Sequence, residues 1–213
     1  MRNPAMPMFP LESALLPDED LPLRIFEPRY AQLVTDCVAG DPVFGVVLIA
    51  AGREVGGGDD RYDIGTLARI VEHRAHGDGR HTVRCRIGER IRVRQWLPDD
   101  PYPRAVVEPW PDEPGDMVAD AAIRHLEDRL MELFERLANA QGGQLPPRDM
   151  LFAGVAMADG PGERLYALAS RVPMGQADRY AVLAAPSAAD RLEALSEAID
   201  TVAAMIDFQL SGE

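Results

Sequence analysis

Residues Leu21 to Val34 read LPLRIFEPRYAQLV, and the fold turns on where this stretch stops being a strand. Leu21 to Phe26 is a short apolar run of the kind that forms a strand. Pro28 then presets φ and lacks a donor that the first helical turn leaves unpaired in any case, so it suits the first position of a helix. Tyr30, Leu33, Val34 and Cys37 follow at i, i+3, i+4 and i+7, one apolar stripe of a 3.6-residue period, and Gly40 marks the stop. A strand, a sharp corner and a docked helix are specified in about twenty residues.

Working outward, the first half of the chain reads as β-structure around that one helix. Met8 to Leu11 is a short strand, separated from the next by a turn-rich PDED, and Val43 to Ala50 is a near-continuous buried strand. AGREVGGGDDRYD, residues 51–63, reads as a glycine-rich, charged and mobile loop. From Ile64 a strand runs to a GDG turn at Gly77 to Gly79 and returns as HTVRCRI; after a break at Gly88-Glu89 come RIRVRQWL, the turn PDDPYP and a last strand RAVVEPW. Such closely spaced strands predict a small barrel or sandwich.

PDEPG, Pro111 to Gly115, is the expected linker, and beyond it the period changes from 2 to 3.6. Asp116 is placed to cap a helix with Ile123, Leu126, Leu130, Leu133 and Leu137 as its spine, ending at Gly142-Gly143. Shorter helices are expected near 149–158, 162–171 and 175–183, and Ser187 caps a last long helix bearing Leu192, Leu195, Ile199, Val202 and Ile206. That stripe spans about two heptads, which suits an intramolecular bundle better than a coiled coil. The organisation is therefore α+β: a β-domain at 1–110, a linker at 111–115 and a helical bundle at 116–213.

Composition narrows the function. With 46% apolar residues, 213 residues can fill a real core. No basic flank leads into an apolar segment at the start, and no apolar run approaches the ~20 residues that span a bilayer, so the chain reads as cytoplasmic. Cys37 and Cys85 fall at core-facing positions of regular elements, which suits reduced buried thiols better than a disulfide framework. The net charge of −13 argues against wholesale nucleic-acid binding. It is unevenly spread: residues 1–110 carry 14 basic against 17 acidic groups, residues 111–213 carry 8 against 18. All 22 basic residues are Arg, and the absence of lysine removes a phosphate-loop lysine, a Ser–Lys dyad and a Schiff base.

Taken together, FPL at 9–11, LPLRIFEPRY, FGVVLI, YDIGTLARI, the DGR turn, IGERIRV and DPYP resemble, in order and spacing, the N-terminal substrate-binding domain of the Lon protease family. Further on, SRVPMGQADRYAVLAAPSAADRLEAL, residues 170–195, resembles the helix, loop and helix of the same family's N-terminal region, ending in an Arg-Leu pair. The resemblance implies a PUA-like β-barrel with one docked helix, followed by a helical bundle. It implies a non-catalytic recognition domain that binds unfolded or damaged polypeptide, or a protein partner, in protein quality control. No cofactor is implied. Full-length members continue into an ATPase with a lysine-bearing phosphate loop and a Ser–Lys protease; with no lysine to fill either role, the chain resembles a stand-alone version of the recognition domain. The rival readings are a small-molecule enzyme or enzyme subunit, and an RNA-binding PUA-like module.

Individual residues were weighed for chemistry. No G-x-S-x-G occurs, so a serine hydrolase has no support. His73 and His76 point to opposite faces of a strand, whereas His76 and His81 flank the GDG turn and face each other across a hairpin; without a carboxylate or thiolate in register they read as solvated turn residues, and no metal site is expected. Val83, Cys85, Ile87, Ile91 and Val93 share one parity, leaving Arg84, Arg86, Arg90, Arg92 and Arg94 on the other. That arginine face is either a solvated surface balanced by acids or an anion, acidic-peptide or RNA surface; Trp96 is the only aromatic on its parity, which weakens the RNA case. In the corner, Glu27 gains from the helix dipole, Arg29 pairs with it or with a loop carbonyl, and Phe26 and Tyr30 pack between barrel and helix. Peptide recognition needs an apolar groove or an open strand edge, expected where barrel meets bundle, near Trp96, Tyr102 and Trp110.

Overall fold

The computed structural model describes residues 5–51, 60–140 and 142–211. The chain divides into two compact units, Met1–Pro111 and Asp112–Glu213. The first contains β1 (Met6–Leu11), β2 (Asp20–Ile25), α1 (Pro28–Ala39), β3 (Val43–Ala51), β4 (Asp60–Ala75), β5 (His81–Leu97) and β6 (Arg104–Pro109). The glycine-rich stretch 52–59 lies outside the described residues, and Asp60–Asp63, read from sequence as the end of a loop, instead opens β4.

Strands β5, β4, β3, β1 and β6 neighbour one another in that order, and β6 pairs back onto β5, so five strands close a barrel while β2 adds to the first half of β5. This is the PUA-like barrel that the family resemblance implies. Met8, Val47, Ile91, Val93, Ala105 and Val107 fill one core, inside the barrel. Phe9, Phe44, Val46, Val83, Cys85 and Ile87 face the other way and meet Tyr30, Leu33, Val34 and Cys37 of α1 in a second core. Adjacent residues such as Met8 and Phe9, or Val46 and Val47, serve opposite cores because side chains alternate along a strand. Barrel closure brings β4 hard against β3 at Gly65, where a Cβ would overlap the Val46 carbonyl oxygen.

Helix α1 starts as the corner sequence requires, with Glu27 as N-cap residue and Pro28 inside the first turn. Gly40 ends it without a left-handed conformation, at φ −121°; its N–H donates to the carbonyls of Asp36 and Cys37. Both cysteines are free and buried. Burial pushes their thiols up, Cys37 to about 11 and Cys85 to about 12, so neither is a nucleophile at neutral pH.

The second unit contains α2 (Asp120–Ala140), α3 (Arg148–Leu151), α4 (Ala153–Ala156), α5 (Pro161–Ala169), α6 (Gln176–Ala184) and α7 (Ala188–Ser211). α2 begins at Asp120 rather than after Asp116, because Met117 is exposed and the first buried side chain is Ile123. Gly142, at φ +65°, takes up the left-handed turn beyond it. Ser187 caps α7 in a reciprocal box: its Oγ accepts from the Asp190 N–H, and the Asp190 carboxylate accepts from the Ser187 N–H.

Asp112 and Glu113, expected in the linker, are bound into this unit. The Arg191 guanidinium, fully buried, donates to both carboxylate oxygens of Asp112 and to the Gly162 carbonyl, and its carbon lies 3.9 Å from the Tyr166 ring centroid. Gly162 has to be glycine, since a Cβ would overlap the Arg191 and Asp112 head groups.

Three substitutions test this packing through urea midpoints. Tyr30→Ala removes a buried ring stacked on Phe9 and should cost about 3 kcal/mol, whereas Pro28→Ala should cost little, alanine being a good helix former. Asp112→Ala leaves a buried, uncompensated guanidinium and should cost about 3 kcal/mol.

Candidate functional site

The strand-to-helix corner also forms a concavity of the first unit. β2 ends at Ile25, which is buried, and Phe26 stands at the turn with its side chain 62% exposed. Two cavities meet there and share Arg24, Ile25 and Phe26. The larger, about 600 Å³, is completed by His76, Arg80, His81 and Thr82 at the tip of the β4–β5 hairpin. The smaller reaches Phe9, Leu11 and Leu23 and is closed by Glu27 and Tyr30. Covering Phe26 with an apolar partner would be worth about 1–2 kcal/mol, given the usual value of burying such a side chain.

On the helix side Phe26 borders closely packed side chains. Tyr30 is buried and stacks on Phe9 with centroids 4.1 Å apart, and Arg29 bridges to Glu27 at 3.2 Å with its guanidinium 4.4 Å from the Tyr30 centroid. Of the corner residues, Tyr30 takes the packing position expected of it, and Phe26 does not. The reason is the two-residue period: Leu21 and Ile25 face the core, so the residue after Ile25 points away from it. That alternation, LPLRIF, was the signal that could have identified Phe26 as a surface aromatic.

The electrostatics of the larger cavity oppose those of the chain. Its lining contains Arg24, Arg80, His76 and His81 and no carboxylate. Arg24 makes no ion pair or side-chain hydrogen bond among the described residues. Arg80 pairs with Asp78, whose carboxyl is held down to about 2 by the guanidinium and the Arg80 N–H. The histidines pair differently from the sequence expectation. His73 Nε2 lies 2.9 Å from His81 Nδ1 with the rings stacked, because His73 stands opposite Val83 and so diagonal to His81 on one face, while His76 Nε2 bonds Thr82 Oγ1 at 2.9 Å. Among the described residues no group of three or more His, Cys, Asp or Glu is placed to hold a metal ion.

The five arginines do not share a face. Thr66 pairs with Arg90 but Ala68 pairs with Ile87, so Gly88 and Glu89 both stand opposite Leu67, a β-bulge that reverses the alternation of β5. Val83, Cys85 and Ile87 therefore lie in the core under α1, and Ile91 and Val93 in the barrel interior. Arg84 and Arg86 project from the opposite side to Arg90 and Arg92. Arg84 pairs with Glu72 and Asp20, Arg86 with Asp18 and Asp20, and Arg94 with Glu108. Arg90 is only 4% exposed; its guanidinium and that of Arg92 lie 4.3 and 4.2 Å from the Trp110 ring centroid.

The aromatic trio is likewise divided. Trp110 is buried, and its N–H donates to the Arg90 carbonyl. Tyr102 is buried in the core under α1, and its hydroxyl donates to Asp36 at 2.8 Å; burial and that bond push the phenol up to about 12. Trp96 is half-buried, donating from Nε1 to Asp63 with Arg61 4.9 Å from its centroid. Tyr102 and Trp110 thus hold the fold, and Phe26 offers the exposed aromatic surface beside the cavity.

A small barrel with an apolar cleft at its strand-to-helix corner, in a chain that also carries a compact helical unit, is a binding module. The chain belongs to the family described as ATP-dependent protease La (LON) substrate-binding domain, whose model matches residues 5–201. It is 26% identical over 210 residues to Lon protease 2 of Thermus thermophilus, covering 96% of this chain and 25% of that protein. Lon protease 1 of Herpetosiphon aurantiacus is 28% identical over 195 residues, 89% of this chain and 23% of its own. The chain thus spans about a quarter of the length of these relatives. Among solved structures, the Lon N-terminal domain protein from Xanthomonas campestris superposes with a TM-score of 0.62 at 27% identity, covering 91% of this chain and 98% of that one. The N-terminal domain of Mycobacterium avium complex Lon protease superposes with a TM-score of 0.61 at 16% identity, covering 92% and 98%, and shares the fold.

The histidine cluster gives the site a measurable pH dependence. Burial first, then His73 and His76, hold the His81 imidazole below its ordinary value. The unfolded chain takes up the proton near pH 6.5, the folded chain only at lower pH, so this contribution to stability is complete above about pH 6.5 and is lost as pH falls through the folded value. Urea midpoints should decline from about pH 7.5 to about pH 5.5, and less steeply in His81→Gln. Identical slopes would remove the cluster from the account.

Proposed function

We propose that this chain is a non-catalytic recognition domain that binds unfolded or damaged polypeptide in protein quality control, with the cleft around Phe26 as its contact surface. Family membership supports the substrate-binding role. The observation that carries the site is an aromatic side chain 62% exposed at the junction of two cavities, held there by a buried neighbour, Tyr30. A native surface tolerates such exposure where a partner covers it, and unfolded chains differ from folded ones in offering apolar side chains to do so. β2, paired only with β5 among the described strands, adds a free strand edge beside the cleft along which an extended chain could lie. No helix among the described residues is long and apolar enough to cross a membrane, and two buried free thiols suit a reducing, cytoplasmic setting.

The chain contributes recognition without chemistry in this reading. It has no lysine for a phosphate loop or a Ser–Lys dyad. The purified protein should neither hydrolyse ATP nor degrade casein, and activity that persists through independent preparations would overturn that.

Binding is tested with a fluorescently labelled, permanently unfolded protein followed by anisotropy. Phe26→Ser should weaken capture about tenfold while leaving the urea midpoint unchanged, since it deletes about 1–2 kcal/mol of contact from a residue outside the core. Unchanged affinity would exclude this cleft.

A further inference from the structure

We propose that the Phe26 cleft selects apolar segments flanked by acidic residues, an inference that rests on the recognition reading above. The distribution of unpaired charge carries it. Along β5, the outward arginines away from the tip are neutralised: Arg84 by Glu72 and Asp20, Arg86 by Asp18 and Asp20. At the tip this balance fails. Thr82 stands opposite Arg24 on β2 and opposite Arg74 on β4, so these two arginines flank it on one face of a three-stranded row. Neither Arg24 nor Arg74 has an ion-pair or side-chain hydrogen-bond partner among the described residues. The adjoining cavity adds His76 and His81, together with Arg80, which is itself paired with Asp78.

A protein of net charge −13 repels acidic chains at long range, yet it keeps two guanidinium groups uncompensated beside its exposed aromatic. Beyond about 8 Å that general repulsion is screened at physiological salt, so a docked segment senses the local pair. The complementary ligand places an apolar side chain over Phe26 and carboxylates over Arg24 and Arg74. A single aromatic beside an apolar hollow suits a polypeptide better than RNA, for which successive stacking rings are the usual platform.

The test uses three short peptides with one Leu-Phe centre and flanks of Asp and Glu, of Ser and Gly, or of Arg, titrated by anisotropy at about 50 mM and about 300 mM salt. Against the wild type the acidic peptide should bind about three- to tenfold tighter than the neutral one and the basic peptide weakest, the range expected from two exposed charge pairs. In the R24Q/R74Q variant, and at high salt, the three should converge on the neutral value; F26S should weaken all three together. Both variants change exposed side chains, and matching urea midpoints verify the fold. Equal binding of acidic and neutral peptides, with F26S still weakening both, overturns the selectivity while the recognition reading stands. An acidic preference that survives R24Q/R74Q also overturns this assignment. Failure of all three peptides to bind, or indifference to F26S, removes the recognition reading itself. A single-stranded RNA that displaces the acidic peptide and loses affinity in R24Q/R74Q overturns the proposal in favour of nucleic acid.

Discussion

The bulge at Gly88-Glu89 is the constraint on which the first unit depends. β5 is 17 residues long and has to line two cores on opposite faces of the sheet. A regular strand with this sequence would place Val83, Cys85, Ile87, Ile91 and Val93 on one side and leave the barrel interior without a fifth wall. One extra residue opposite Leu67 reverses the alternation, so the first half of the strand packs under α1 and the second half fills the barrel. The same reversal turns Arg90 and Arg92 onto the outer wall, where Trp110 covers them. A second irregularity, at Arg94, returns Trp96 to the barrel side. Closure of the barrel, burial of Trp110 and separation of the arginines share one local cause.

That cause also marks the limit of what the sequence discloses. The corner, α1, the hairpin, the change of period after Pro111 and the Ser187 cap are local features, and each was legible because a few adjacent residues determine it. The expected arginine face fails because strict alternation does not carry through Gly88-Glu89; the consequence of that break depends on how many residues of β4 it opposes, which is not a local property. Tyr102 and Trp110, a loop and a strand-end aromatic, carry no periodic signal of burial; Asp36, which bonds Tyr102, comes from 66 residues away, and the arginines against Trp110 come from another strand. Phe26 erred in the other direction. Its outward parity is readable from LPLRIF, and the structure exposes it where packing between barrel and helix is expected.

In the helical unit the binding force is of another kind. Leu130, Leu165, Leu183, Leu195 and Ile199 form an ordinary apolar interior, but its most buried large side chain is Arg191. A guanidinium out of water is costly unless its charge is paired, and it is the residues just after the first unit that supply the carboxylate for both terminal nitrogens, while Nε has no partner among the described residues. Asp112 is thereby fixed to α7, together with Glu113, whose N–H donates to the Pro186 carbonyl. A segment whose composition marked it as a linker is in fact the beginning of the second unit, held by polar contacts that composition alone does not reveal.

Arginine is the chain's only strongly basic side chain, and it is used in two contrasting ways. Where the fold needs a cation inside, planar guanidinium groups stack on Tyr166 or Trp110, and that of Arg191 bonds Asp112 and the Gly162 carbonyl at the same time, which a lysine ammonium could not do with the same geometry. Where the surface is crowded with acids, arginines are consumed in exposed pairs of little individual worth. The tip of the β4–β5 hairpin fits neither pattern. Arg24 and Arg74 lack acidic partners among the described residues, and Phe26 lacks a cover. Local imbalance of charge and of apolar exposure coincide at a single corner, and both imbalances would be relieved by one extended, acidic and apolar ligand. That coincidence distinguishes the corner from the scattered exposed side chains elsewhere, such as Met117 and Met157, which border neither cavity.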